Sequence, residues 1–506
     1  MKYLFKTIPI LFLTVLVLFS CKDQWEDHNA LRQTVLSETL DQLVSSNTSL
    51  SKFNEYLKKT GYDKILASSK MFTVWAPSND ALSNLDQTIV DDTAKLKQFI
   101  GNHIAYQEYS TDSKVDLKIK MLNKKNAIYK AGDQTINGVS IDNTSRNLYC
   151  KNGILHVIKS PIYAKQNIWD YFLGLSDVLV KSQQLFLSNY IITFDVANSK
   201  QIGSNANGEP IYDTVWIYKN IFLNSVKDVS NEDSTYTFFV MKNDAFSNEF
   251  NKMKKYLTDT TSNPSFNMTN YNTDEEVFKD VVVRGKYTPD NLPDSFYSTN
   301  GIKIHKIDLI IDGYYEASNG SVFTVSKFDI PKENKITAVI IQGENYASTA
   351  DSALNGISVP LLGIRARTWD FGGRDIYVTG GTNGHKTPYL NIKYYTPKLY
   401  TIKYNIYWRA INDFQSSSYT QKIAINPLRG KNLRDTTLQV FKFKTIPAYD
   451  INTVSMDYSL TESIIGSWTN SQFGVQRLYL VANQANSGSY NDPLVLDYFK
   501  LVPDFN

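Results

Sequence analysis

The chain has 506 residues, room for three or four domains, with 42% hydrophobic and 20% charged residues. With 24 Gly, 15 Pro and 2 Cys, it is neither disordered, collagenous nor a disulfide scaffold. Lys plus Arg is 53 against 50 Asp plus Glu, a formal +3 that drops to +1 once residues 1–20 are removed with Lys2 and Lys6; this excludes an electrostatic case for nucleic acid as a partner.

Lys2 and Lys6 precede an apolar stretch from Ile8 to Phe19, too short to span a bilayer comfortably and followed at once by polar chain. Residues 1–20 therefore read as a secretory signal peptide. The stretch ends Leu18-Phe19-Ser20-Cys21, a small residue directly before a cysteine, and this resembles the lipobox of bacterial lipoproteins. The resemblance implies cleavage before Cys21 and lipidation of that residue. Several acyl chains, at about 0.8 kcal/mol per buried CH₂, would hold the chain firmly to a membrane. Residues 21–30 read as a tether, and Lys22-Asp23-Gln24-Trp25-Glu26-Asp27 carries three acids. That run resembles the export signal of Gram-negative lipoproteins and implies an outer-membrane location facing the cell exterior. No other stretch reaches about 18 consecutive apolar residues, so no other membrane span is expected. Once Cys21 is lipidated, Cys150 has no cysteine to pair with and reads as a small buried hydrophobe.

From Leu31 to Leu66 the pattern is helical. Leu36, Leu40, Leu43 and Val44, then Phe53, Tyr56 and Leu57, recur at spacings near three and four, and Gly61 is placed to end the second helix. Met71-Phe72-Thr73-Val74-Trp75-Ala76-Pro77 reads as a short buried strand with a proline-fixed exit, and Ser78-Asn79-Asp80 opens the next helix. About seventy residues on, Asn152-Gly153-Ile154-Leu155-His156-Val157-Ile158 is a tight turn leading into an alternating strand. With His103 between them, these two motifs resemble the fasciclin domain over residues 31–163. The resemblance implies an α+β fold and a role in adhesion or interaction, and it carries over no catalytic residue.

The pattern then restarts. Ile168-Trp169-Asp170-Tyr171-Phe172 is helical, Tyr236 to Phe246 reproduces the first motif, and Asn300-Gly301-Ile302-Lys303-Ile304-His305 reproduces the second. This defines a second fasciclin-like domain over 165–313. It departs from the family in having Met241-Lys242 in place of Ala-Pro, and in an insertion at Asn198–Tyr218. His103, His156 and His305 read as core residues with ring nitrogens bonded to backbone, since His156 shares a strand face with Ile154 and Ile158.

Beyond Gly313 helical periodicity gives way to short strands separated by Gly, Asn, Asp and Pro. In Tyr400–Trp408 the residues Tyr400, Ile402, Tyr404, Ile406 and Trp408 share one face. Further strands read at Ala338–Ile341, Asp375–Val378, Leu390–Tyr394, Leu438–Phe443, Arg477–Val481 and Leu494–Leu501. Seven or more strands in 320–506 predict a β-sandwich. Gly372-Gly373 and Gly380-Gly381 read as turns, since no helix start follows them to cradle a phosphate. The final run from Asp492 to Pro503 resembles the last strand of jelly-roll carbohydrate-binding modules of the galactose-binding type. There Asp497 faces the apolar side with Val495, Phe499 and Leu501, and a buried carboxylate needs a partner. The resemblance implies a structural calcium at Asp497; the residues themselves equally allow backbone amides or an Arg. This region holds Trp369, Trp408, Trp468 and 14 of the 33 tyrosines. Trp408 reads as core, whereas Trp369, flanked by Arg367 and Asp370, is the candidate for stacking on a sugar.

The expected architecture is multidomain, α+β and all-β: two fasciclin-like domains followed by a jelly-roll sandwich. No Gly-x-Ser-x-Gly, His-Glu-x-x-His, Gly-x-Gly-x-x-Gly or Cys-x-x-Cys occurs, so no enzyme is expected. A carboxylate-pair glycosidase is the one hydrolase such a search leaves open. The expected function is capture of glycan at the cell surface beside an outer-membrane polysaccharide importer, and the alternative is an adhesin binding a protein or matrix partner.

Overall fold

The computed structural model describes residues 37–175, 190–194, 199, 201–205, 207–212, 216–220, 223, 226–260, 267–349, 362–366, 372–378, 391–413, 416–426, 444–446, 462–483 and 493–506. The leader, Cys21 and the acidic run lie outside the described residues, as do Arg367, Trp369 and Asp370.

Residues 37–164 build a first unit around a four-stranded sheet, ordered Ile104–Tyr106, Phe72–Pro77, Gly153–Ile158, Leu148–Cys150. The two central strands run parallel, from Phe72 opposite Gly153 to Pro77 opposite Ile158, and every residue in them is buried. Parallel strands covered on both faces require such unbroken runs of buried residues. Helices cover one face. Thr39 caps Leu40–Ser46 in a capping box with Gln42, and Gly61, at φ +76°, ends Ser51–Thr60 as its position predicts. Their Leu40, Val44, Phe53 and Leu57 pack on Phe72, Val74 and Leu155. A small antiparallel sheet covers the other face, setting Ile119, Tyr129 and Ile136 against Trp75 and Ile158.

The same strand order recurs in the second unit: Val282–Arg284, Tyr236–Met241, Gly320–Phe328, Leu309–Ala317. Again the central pair is parallel, from Tyr236 opposite Gly320 to Met241 opposite Val325. This corrects the sequence reading. Lys303–His305 does not reach that sheet; it pairs with Ser295–Tyr297 in a two-stranded ribbon. The counterpart of Asn152-Gly153 is Asn319-Gly320, and residue 313 falls inside an edge strand. The unit therefore runs on to Ile330, which lies in its core. Asn300-Gly301 matched because it keeps the Asn-Gly and a later histidine, but the position demands something else. Gly153 and Gly320 stand at φ +148° and +154°, and a Cβ on either would lie 1.8 Å from the carbonyl oxygen of Phe72 or Tyr236. Gly301 has open space around it.

Among the described residues the third unit has sheets of four, five and three strands. The four-stranded sheet runs Val339–Gln342, Tyr498–Asp504, Lys403–Arg409, Glu462–Thr469. It packs Ile406, Trp408, Phe499 and Leu501 against Tyr394, Ile423, Leu478 and Leu480 of the five-stranded sheet. The expected strand Leu438–Phe443 lies outside the described residues. The expected strand Leu494–Leu501 is broken at Asp497: Leu494–Leu496 joins the three-stranded sheet and Tyr498–Asp504 the four-stranded one.

The two junctions differ in kind. Between the first and second units the contacts are polar: Lys125 to Asp170 at 2.7 Å and Glu232 at 3.1 Å, and Asn126 to the Glu232 carbonyl at 2.7 Å. Between the second unit and the sandwich apolar and main-chain contacts join polar side-chain ones, such as Tyr400 to Glu276 at 3.0 Å. Met253, Tyr256 and Leu257 enter the sandwich core, the Thr401 N–H donates to Tyr256 O at 2.8 Å, and the Phe473 N–H donates to Thr258 O at 2.7 Å. Among the described residues no helix is long and apolar enough to cross a membrane.

Candidate functional site

Both histidines of the first unit are consumed by structure. His103 Nδ1 lies 2.9 Å from Phe99 O, and its Nε2 accepts the Ile162 N–H at 2.9 Å. His156 Nε2 lies 2.9 Å from Tyr109 O, and its Nδ1 accepts the Asn147 N–H at 3.2 Å. Each ring therefore donates from one nitrogen and accepts at the other, which is the neutral tautomer. Burial pulls both pKa values down to about 4. The expectation of core histidines bonded to backbone describes both. His305 is partly buried in the ribbon and has no place in the central sheet.

In the sandwich the buried carboxylate foreseen at Asp497 is real, and its partner is an arginine. Arg409 ends its strand fully buried, and its Nη1 donates to Asp497 Oδ2. The main chain locks the same two residues, with the Asp497 N–H donating to Arg409 O at 2.9 Å and the Gly343 N–H to Asp497 O at 2.6 Å. Gln421 completes the seam, bonding both polar groups of Val495 at 3.0 and 3.2 Å. Of the alternatives the sequence left open for Asp497, the arginine is the one the structure describes. Arg409 already neutralises Asp497, and among the described residues no group of three or more His, Cys, Asp or Glu is placed to hold a metal ion.

Beside this seam lie two strands that flank, in sequence, the segment with Arg367, Trp369 and Asp370, which is outside the described residues. Leu362–Ala366 pairs with Arg374–Val378, setting Arg365 opposite Asp375. Arg365 Nε donates to Asp375 Oδ1 at 2.8 Å and Nη2 donates to Oδ2, a bidentate pair. Its Nη1 stands 3.6 Å from Asp413, and its guanidinium lies 4.5 Å over the Tyr377 ring. Gly372 and Gly373, at φ +86° and +83°, are turn residues, as their sequence predicts. The two strands are thus braced against each other by charge-assisted bonds. Trp408 and Trp468 are core. Nothing in the sequence assigned Arg365, Asp375 or Arg409 a partner, because each finds it on another strand.

The family model described as "Fasciclin domain" matches residues 48–164. No curated protein matches the chain. Among solved structures, the chain is similar to a FAS1 domain pair from the insect cell adhesion molecule fasciclin I, at 12% identity and TM-score 0.23, covering 57% of this chain and 99% of that one. It is also similar to a family 35 carbohydrate binding module from Clostridium thermocellum, at 14% identity and TM-score 0.21, covering 33% of this chain and 99% of that one. A third likeness is to a GH26-CBM35 β-(1,4)-mannanase of Podospora anserina, at 12% identity and TM-score 0.22, covering 34% of this chain and 28% of that one. Likeness of fold fixes neither ligand nor activity.

Proposed function

We propose that the chain is a non-catalytic, lipid-anchored protein of the outer membrane that holds glycan at the cell surface for an adjacent polysaccharide importer. The observation that carries this reading is the braced strand pair of Arg365, Asp375 and Tyr377 on a β-sandwich, with Arg367, Trp369 and Asp370 close by in sequence. An aromatic and two charged residues in one short run suit recognition of a sugar face and its hydroxyls. The fasciclin-like region, here both the first and the second unit, serves as a spacer between the anchored Cys21 and the sandwich. Anchoring would confine ligand and importer to one surface and raise their effective concentration.

The test uses the chain from Lys22 onward on polysaccharide affinity gels and a glycan array. Retardation by at least one glycan, lost in Trp369→Ala and kept in Trp25→Ala, is the expected result. Absence of retardation by every glycan, with the protein folded, would overturn it. Adhesion is the second reading, favoured by the family match at residues 48–164 and by exposed Tyr106 and Tyr149 on the outer strands of that unit. Under that reading, binding to a protein or matrix partner survives Trp369→Ala.

A further inference from the structure

Lys335 ends the short helix Lys332–Lys335, which leads from the second unit into the sandwich, and its side chain is wholly buried. Its Nζ lies 3.3 Å from Glu249 Oε1 and 3.4 Å from Asp280 Oδ2, and it donates to the main-chain oxygen of Glu276 at 3.2 Å. The side chains of Glu249 and Asp280 are 1% and 0% exposed. Ser298 Oγ donates to Asp280 Oδ1 at 2.8 Å, which leaves Oδ2 toward the lysine. Two other lysines close the cluster, Lys252 on Glu249 at 2.5 Å and Lys279 on Glu276 at 2.7 Å. From the sandwich, Tyr400 donates to Glu276 at 3.0 Å.

The outer lysines make tight ion pairs, and the central one does not. Charge-assisted N–H···O bonds fall at about 2.7–2.9 Å, so Lys335 stands off both carboxylates that flank it. Burying an ammonium and a carboxylate costs desolvation that their mutual attraction must offset. Joining the two groups covalently removes both charges.

We propose that Lys335 Nζ and Asp280 Cγ condense into an intramolecular amide, with Glu249 moving the proton. In this step the neutral amine attacks Cγ of the protonated Asp280 carboxyl. Ser298 holds the oxyanion that forms on Oδ1. Glu249 takes a proton from Nζ and returns one to Oδ2, the C–Oδ2 bond breaks, and one water leaves. The balance is one amine plus one carboxylic acid to one amide plus one water, with Glu249 unchanged. Burial raises the Glu249 carboxyl above its ordinary range, as a proton carrier needs. On Lys335, burial favours the free amine, but Asp280, Glu249 and Glu276 outweigh it and favour the ammonium. The reactive form is therefore a minor one and the reaction is slow. The product would pin the segment entering the sandwich to the end of the helix Met268–Phe278.

The full chain is purified, held at neutral pH, digested with trypsin and weighed. The expected result is loss of one water, no cleavage after Lys335, and a linked pair of peptides carrying Lys335 and Asp280. In Asp280→Asn the leaving group becomes ammonia, so the mass lost should change to that of ammonia. In Glu249→Gln the peptides should stay linear. A wild-type digest that still yields, after prolonged incubation, a full-mass peptide ending at Lys335 overturns the proposal, and this reading needs no variant to fold. Linkage persisting in Glu249→Gln would overturn the role given to Glu249.

Discussion

His103 and His156 have buried replacements in the second unit, and those replacements show what the rings are for. Trp75 N–H donates to His103 O where Phe239 N–H donates to Val281 O, and Trp75 pairs with His156 where Phe239 pairs with Phe323. In both units the last pair is a ring stack, at 5.8 and 5.5 Å. A valine and a phenylalanine fill the same places, so the fold needs bulk there and no titration. The histidines nevertheless make the first unit acid-sensitive. Folded, they stay neutral to about pH 4; unfolded, they take up protons near 6.5. Between those values the unfolded chain binds more protons, so stability is full above pH 6.5 and falls as pH drops toward 4. The loss is on the order of 3 kcal/mol per ring, and urea unfolding followed from pH 7 to 4.5 should record it. His156→Phe should remove about half of that dependence, leaving the His103 share, while costing about 1–3 kcal/mol at pH 7, because Tyr109 O and the Asn147 N–H lose their partner. At Asp497, Arg409→Met should cost about 3–5 kcal/mol by leaving a buried carboxylate uncompensated, and chelator should leave the melting temperature unchanged.

At the scale of elements, one Asn-Gly pair serves each unit in the same way. Asn152 donates to the Leu66 and Ser68 carbonyls, both at 2.6 Å, and accepts from the Leu40 N–H at 2.8 Å. Asn319 donates to the Val229 and Asn231 carbonyls at 2.7 and 3.1 Å and accepts from the Ile168 N–H at 2.9 Å. Each amide thus ties the start of a helix to the turn before the central strand. The following glycine lets the neighbouring strand's carbonyl come within reach. Gly320→Ala is expected to abolish folding of the second unit or to cost several kcal/mol, whereas Gly301→Ala, with open space, should cost about 1 kcal/mol of left-handed strain. Thermal melts of the two variants separate these outcomes. Equal effects would contradict the assignment of Asn319-Gly320.

For the whole molecule, the junctions predict how it divides. The sequence boundary at 320 would cut Gly320–Phe328 from its partner Tyr236–Met241 and strip Met253, Tyr256 and Leu257 from the sandwich core. A fragment of residues 320–506 should therefore aggregate, and one of residues 165–506 should remain soluble and melt in a single transition. Soluble yield and calorimetry check both. The first junction is partly exposed, as Lys120 and Asp233 are at 53% and 69%, so salt should weaken it. Limited proteolysis near residues 159–166 should quicken as salt rises while the 165–506 transition stays in place.

Local pattern sufficed wherever a residue's role depends on its chain neighbours. The helices over residues 40–60 with the Gly61 end, the buried strands Phe72–Pro77 and Gly153–Ile158, the inward face of Tyr404, Ile406 and Trp408, and the turn at Gly372-Gly373 were all legible, because periodicity and φ preference are local. The arginine partner of Asp497, the Arg365–Asp375 brace, the true second Asn-Gly and the Lys335 cluster were not. Arg409 meets Asp497 across 88 positions, and Asn319 reaches Ile168 across 151. Two Asn-Gly pairs, at 300 and 319, look alike in sequence. Only the close approach of the Tyr236 carbonyl, set by how the strands pair in space, distinguishes them.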